Sequence, residues 1–262
     1  MSDLQSLFGL EGSVALVIGA SSGLGAEAAR GLASAGAAVG LAARRQDRLE
    51  QVADALKGLG ASTCVAPTDV SRREELTHCV DRVESELGAL DLLVYAPGVS
   101  PLGRAERHSR EKWDQALATN LTGAFEAAQV VASRWIEQDR GGRIVFISSV
   151  VGDGASPVHP VVGYAASKAG LHGLTRQLAV EWAPKGIAVN AVAPAYFETE
   201  LTIDPAYGSM RPDTREQLES RTPMGRIGRA GEIEGAVVFL CSPSASYVTG
   251  CILKVDGGWS AW

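Results

Sequence analysis

Short runs of consecutive apolar residues recur along the chain: VALVI (14–18), AAVGLA (37–42), TCVA (63–66), LDLLVY (90–95), RIVFIS (143–148), IAVNAV (187–192) and CILKV (251–255). A strand with one wet face alternates apolar and polar positions, so uninterrupted runs of this length predict strands covered on both faces. Between them lie longer amphipathic segments: AEAARGLASAG, RLEQVADALKGLG and REELTHCVDRVESELG, the last with Asp69 and Ser71 as candidate caps. Two longer helices are expected over about 110–139 and 163–183. Strand and helix in alternation predict an α/β Rossmann fold, a doubly wound parallel sheet of about seven strands with helices on both faces. No repeat or low-complexity tract interrupts it. Residues 195–228 show neither period, and so long an irregular stretch in a compact domain predicts a substrate loop or lid.

Length and charge narrow the function. A chain of 262 residues, 46% hydrophobic, fits a single domain over 1–262. A net charge of −6 and a pI near 5.3 exclude a phosphate-coating surface, so no nucleic-acid partner is expected. The opening MSDLQSLFGLEG holds an acid and no long apolar run, which predicts neither a signal peptide nor a membrane span, and a cytoplasmic location. Cys64, Cys79, Cys241 and Cys251 are too widely spaced for a paired metal site and too few for a disulfide framework. They are expected to be reduced core or strand residues, and no metal is expected.

The first candidate chemistry lies after the first strand. Gly19, Gly23 and Gly25 are spaced G-x-x-x-G-x-G between strand and helix, which allows a tight turn and brings backbone N–H groups close to a pyrophosphate. Glycines also serve ordinary turns, so the position within the β/α alternation is what gives the triplet its weight. About twenty residues on, where an acid would accept from the ribose of NAD, the second strand ends in Ala42-Ala43-Arg44-Arg45. Two arginines at a helix start oppose its dipole, and a bound 2′-phosphate would account for them. NADP(H) is therefore the preferred cofactor, with NAD(H) as the alternative.

Tyr164 and Lys168, in GYAASKAG, stand four apart on one helix face. A phenol titrates near pH 10 and needs a nearby cation to act as a proton shuttle at neutrality, a role Lys168 is placed to fill. The surrounding Ala and Gly leave room for a cofactor or a neighbouring helix.

With these residues in view, the chain resembles the short-chain dehydrogenase/reductase family along nearly its whole length. The matches come in order: GASSGLG (19–25), TDV (68–70), ATNLTGAF (118–125), ISSVVG (147–152), YAASK (164–168), VNAVAP (189–194), FET (197–199) and VDGG (255–258). The stretches LFGLEGSVALV, AYFETELT and YVTGCILKVDGG look like the subgroup containing gluconate 5-dehydrogenases and carbonyl reductases. The resemblance implies Tyr164 as general acid/base, with Lys168 lowering its pKa and holding the nicotinamide ribose. It implies Ser149 as hydrogen-bond donor to the reacting oxygen and Asn120 as holder of a relay water. Cofactor contacts carried over are the turn residues Gly19, Ser21, Ser22, Gly23, Leu24 and Gly25, then Arg44, Asp69 and Val70 at the adenosine. Ala96, Gly98, Pro194 and Thr199, with Tyr164 and Lys168, complete the set. A homotetramer built on the two long helices is implied, with Trp259 and Trp262 as further contact candidates.

The sequence departs from the family pattern at several places. Ile18 replaces a threonine, Tyr95-Ala96-Pro97-Gly98 replaces Asn-Asn-Ala-Gly, and Pro194-Ala195 loses a glycine tolerant of positive φ. Ser149 and Tyr164 are fifteen apart, so SPVHPVV is expected to bulge over the substrate pocket. None of these changes removes a proton-transfer group. The expected reaction is NADP(H)-linked interconversion of a ketone and a secondary alcohol, ahead of a non-catalytic nucleotide-binding module or an epimerase or dehydratase. Asp153, Ser156, His159, Tyr196 and Phe197 are candidate substrate-pocket residues, and Arg211, Arg215 or Arg221 the candidate clamp for an anionic substrate.

Overall fold

The computed structural model describes residues 4–204 and 207–261. Trp262 lies outside them. The seven apolar runs become β1 (Val14–Ile18), β2 (Ala38–Ala43), β3 (Thr63–Pro67), β4 (Leu92–Tyr95), β5 (Gly142–Ile147), β6 (Ile187–Pro194) and β7 (Ile252–Val255). They form one sheet of order β3-β2-β1-β4-β5-β6-β7, and every pairing is parallel. The strand order reverses between β1 and β4, and a crevice opens at the carboxyl ends of strands flanking such a point.

Side-chain alternation divides β1 between two cores. Leu16 and Ile18 face α4 (Arg73–Leu87), α6 (Gly123–Glu137) and α7 (Val162–Trp182). Ala15 and Val17 face α2 (Gly23–Ser34), α3 (Gln46–Lys57) and α9 (Glu234–Cys241). Both faces of the sheet are therefore dry, which is why the strands read as solid apolar runs. Trp135 shows how tightly one face closes: fully buried, it donates its indole N–H to the Leu90 carbonyl at 2.7 Å. A Cβ on Gly142 would lie 2.5 Å from its ring, so the glycine at the start of β5 is what admits the indole.

Three expectations are corrected here. Asp69 and Ser71 do not cap α4, which starts beyond Arg72. The Asp69 carboxylate instead accepts from the backbone N–H and hydroxyl of Ser71, closing a turn at the end of β3. The helix expected over 110–139 is broken: α5 (Arg110–Leu117) and α6 are joined by a π-helical turn at Ala118–Thr122. The Tyr95 hydroxyl donates to the Thr119 carbonyl in that turn at 2.6 Å, and Gly123 leaves the space the hydroxyl fills. The segment 195–228 is not wholly irregular, since α8 (Pro212–Arg221) lies within it. Leu218 is the only residue α8 buries, so no apolar stripe announced it. A short α1 (Leu4–Phe8) precedes the sheet.

All four cysteines are free, on β3, α4, α9 and just before β7, and burial pushes the Cys64 and Cys241 thiols up to about 12. No helix among the described residues is long and apolar enough to cross a membrane.

Candidate active site

A cleft of about 1360 Å³ runs along the carboxyl ends of the strands. That is larger than a typical small-ligand pocket and has room for a long ligand beside a second one. Its lining follows the strand order, from Asp69 and Val70 after β3 and Arg44 after β2, through Gly19–Gly25 after β1 and Ala96 and Gly98 after β4. It continues to Ser149 after β5, Tyr164 and Lys168 on α7, Pro194 at the end of β6, and Thr199. All the residues singled out for catalysis and cofactor contact line this one cleft except Asn120, which is fully buried behind it.

The glycine-rich turn is shaped by close approach. Gly19 has φ 84° and Gly23 φ 54°, a region that suits glycine. A Cβ on Gly19 would sit 2.6 Å from the Pro97 nitrogen, and one on Gly25 would collide with the Gly19 carbonyl. The Ala96-Pro97 departure is thus packed directly onto the turn, with the Ala96 N–H still donating to Ile18 at 2.9 Å. The turn opens α2 with its N–H groups towards the cleft, and two arginines stand at the neighbouring strand end, so these residues fit a dinucleotide carrying an extra phosphate. The expected loss at Ala195 does not arise: among the described non-glycine residues only Asp139 has a positive φ.

At the centre, burial governs the electrostatics. Lys168 is 3% exposed, and burial takes its ammonium down to about 7. Burial likewise pushes the Tyr164 phenol up to about 12, against a hydrogen bond to Ser149 that favours the phenolate. The expected lowering by Lys168 is not what governs the phenol here: burial does, and Ser149 is the group that opposes it. The lysine lies 5.6 Å from the ring centroid and gives a hydrogen bond to the Ile147 carbonyl at 2.8 Å. Ser149 begins the turn Val150–Gly152, its hydroxyl accepting from Val151 N at 3.2 Å. The amide of Asn120 is committed to structure: Nδ2 donates to Val99 O at 3.0 Å and Ser167 Oγ at 2.9 Å, and Oδ1 accepts from Val99 N at 2.9 Å. Asn120 thereby ties the chain after β4 to α7, within one turn of Tyr164.

Asp153 is not a pocket residue. Its carboxylate pairs with His172 Nδ1 at 2.9 Å and with Lys254 at 3.4 Å, joining the Ser149 turn to α7 and β7. Burial holds His172 below the usual imidazole pKa even with Asp153 beside it, so near neutrality the ring is neutral and Nδ1 carries its proton to the carboxylate.

The far end of the cleft is built from 156–161 and the lid. Ser156 and Tyr196 share a hydrogen bond of 3.1 Å, Ser156 Oγ accepts from His159 N, and Trp259 packs edge-on against Tyr196 at 5.0 Å. Val158, His159 and Val161 of the expected bulge line the cleft with Met210 and Gln217 of the lid, two residues no sequence signal had marked. Phe197 is 5% exposed and lies where a Cβ on Gly228 would be, so it closes the base of the lid. Of the three clamp candidates only Arg211 lines the cleft. Arg211 pairs with Asp213 and Arg215 with Glu198 and Glu219, while Arg221 borders a separate small pocket beside Trp259. Among the described residues no group of His, Cys, Asp and Glu is arranged to hold a metal ion.

Comparison with known proteins agrees with this geometry. The family profile described as enoyl-(acyl carrier protein) reductase matches residues 19–260. Over 260 residues, 99% of this chain and 100% of the other, the sequence is 38% identical to galactitol 2-dehydrogenase (L-tagatose-forming) of Cereibacter sphaeroides. The crystal structure of a short-chain type dehydrogenase/reductase from Mycobacterium marinum superposes with a TM-score of 0.94 at 35% identity, covering 99% of this chain and 100% of that one. Gluconate 5-dehydrogenase from Burkholderia cenocepacia J2315, solved with NADP and tartrate, gives a TM-score of 0.92 at 33% identity over 99% and 100%.

Proposed function

The chain belongs to the short-chain dehydrogenase/reductase family and is an oxidoreductase acting on alcohols and ketones, and from that premise we propose that it interconverts an uncharged ketone and its secondary alcohol using NADP(H). What carries this reading is the convergence of Ser149, Tyr164 and Lys168 on a cleft whose other end holds the glycine-rich turn, Arg44 and Arg45.

A nicotinamide bound here would supply or accept the hydride at the carbon of the reacting group. In reduction Tyr164 gives its phenolic proton to the carbonyl oxygen, and in oxidation it takes the hydroxyl proton. Ser149 donates a hydrogen bond to the same oxygen and steadies the charge that develops on it. Lys168, held by Ile147 O, would hold the nicotinamide ribose and return a proton to Tyr164. The relay water would sit at the π-helical turn Ala118–Thr122 that carries Asn120. Gly19, Gly23, Leu24 and Gly25 would take the pyrophosphate side, Ser21 and Ser22 with Arg44 and Arg45 the 2′-phosphate, and Asp69 with Val70 the adenine. Ala96, Gly98, Pro194 and Thr199 would line the nicotinamide half.

Arg211 lines the cleft together with its partner Asp213, so that wall carries no net positive charge, which supports an uncharged substrate ahead of a sugar acid. Ser156, His159 and Tyr196 offer hydroxyl and imidazole partners suited to a polyol or a cyclic or aryl ketone. Residues 195–228 serve as the lid of a single domain over 1–262. Exposed Phe125 and Ile136 on α6 and Val162 and Val180 on α7 support a homotetramer built on those helices, and free cysteines suit the cytoplasm.

Absorbance at the reduced-nicotinamide band, followed with NADP+ and NAD+ over galactitol and gluconate and with NADPH and NADH over uncharged cyclic and aryl ketones, tests this. Turnover that prefers the phosphorylated cofactor and an uncharged substrate is expected. Turnover confined to gluconate with NAD(H) would contradict both choices.

A further inference from the structure

Beside the glycine-rich turn the chain places one of its own carboxylates in an anion site. Ser22 Oγ donates to Glu200 Oε2 at 2.8 Å, and Arg45 grips both oxygens, with Nη2 2.7 Å from Oε2 and Nη1 3.3 Å from Oε1. The same guanidinium donates to Ser21 Oγ at 3.2 Å and Ser22 Oγ at 3.0 Å. Two hydroxyls and a guanidinium at the mouth of a helix N-terminus match the acceptor oxygens of a phosphate as well as those of a carboxylate. Ser22 precedes α2 without capping it, so its hydroxyl is committed to this cluster. Arg45 holds the Glu200 carboxyl below the usual carboxylate range, with Ser22 adding to the effect, so the group is an anion at neutral pH. Thr199, the preceding residue, rests against Gly23, where a Cβ would come within 3.3 Å of it.

We propose that Glu200 is a cofactor-specificity residue: its carboxylate occupies the Ser21, Ser22 and Arg45 side of the 2′-phosphate site that Arg44 completes, and a cofactor carrying that phosphate displaces it. The inference rests on the NADP(H) reading above and adds to it a competitor supplied by the lid. A cofactor without the 2′-phosphate leaves the Glu200–Arg45 pair in place, and one with it releases the strap at 199–204 from the turn. Displacement is inexpensive, because both partners are nearly half exposed, at 45% and 46%, and exposed ion pairs are weak and screened by salt.

Calorimetric titration of the full chain with 2′,5′-ADP and with 5′-AMP tests it, in wild type, Glu200→Gln and Arg45→Ala, with melting curves as a check on folding. Glu200→Gln should tighten 2′,5′-ADP roughly two- to fivefold, the factor an exposed pair supports, and leave 5′-AMP unchanged. Arg45→Ala should weaken 2′,5′-ADP. A Glu200→Gln protein that binds 2′,5′-ADP no better than wild type overturns the proposal while the cofactor reading stands. Equal tightening of both nucleotides also overturns it, since Glu200 would then be a general gate. A wild type indifferent to the 2′-phosphate removes the cofactor reading and the proposal with it.

Discussion

Lys168 Nζ donates to the carbonyl oxygen of Ile147, the last residue of β5, at 2.8 Å. Ser149 follows two residues later and Tyr164 lies one helical turn before the lysine. One hydrogen bond therefore fixes the strand that delivers the oxygen-binding hydroxyl against the helix that delivers the proton donor.

That tether has a pH signature. Burial takes Lys168 from an ordinary 10.5 to about 7, so between those values the unfolded chain binds the extra proton and the folded chain does not. Stability then rises with pH across this window, and below pH 7 the full cost of burying the ammonium is present. Lys168→Met should remove the effect. Melting temperatures of wild type and variant, compared at pH 6.5 and pH 9.5, should show the wild type gaining relative to the variant at the higher pH.

The Tyr95 hydroxyl is buried against the Thr119 carbonyl, in the turn that carries Asn120. Tyr95→Phe leaves that carbonyl unpaired and should cost about 1–3 kcal/mol in urea unfolding. Turnover should fall as well, since the turn also anchors Val99 and Ser167 through Asn120.

Asp153 joins His172 to Lys254. Asp153→Ala strands the imidazole Nδ1–H in a site where His172 is 2% exposed, and should destabilise the fold by about 1–3 kcal/mol. Asp153→Asn, which keeps an acceptor, should recover most of that loss in the same unfolding measurement.

Arg44 lines the adenosine end of the cleft. If it pairs with a 2′-phosphate, Arg44→Ala should raise KM for NADPH on the order of tenfold, the weight of a charge-assisted hydrogen bond. KM for NADH should stay near its wild-type value.

Much of this was legible in the sequence, because a doubly covered parallel sheet writes itself as unbroken apolar runs. The seven runs match the seven strands to within two residues at either end. The residues grouped at the cleft were legible because the fold gathers strand ends together, so short motifs far apart in the chain meet. What the sequence concealed depends on contacts between distant segments. Glu200 meets Arg45 across 155 residues, and the acid alone gave no sign of its partner. Asp153, polar and close to Ser149, looked like a pocket group until His172 drew it away from the cleft. The π-helical turn follows from Tyr95 and Gly123 meeting, which neither helix periodicity nor composition expresses. α9, EGAVVFLC, is apolar on nearly every side and gives no period to read.

The most direct test of the account is NADPH oxidation by wild type and Tyr164→Phe on a ketone the wild type reduces, with NADPH binding followed separately by fluorescence. Removal of the general acid should lower turnover by about 10²–10⁴-fold while NADPH affinity stays within a few-fold of wild type. A Tyr164→Phe protein that turns over at the wild-type rate would contradict the assignment of the proton transfer to this residue.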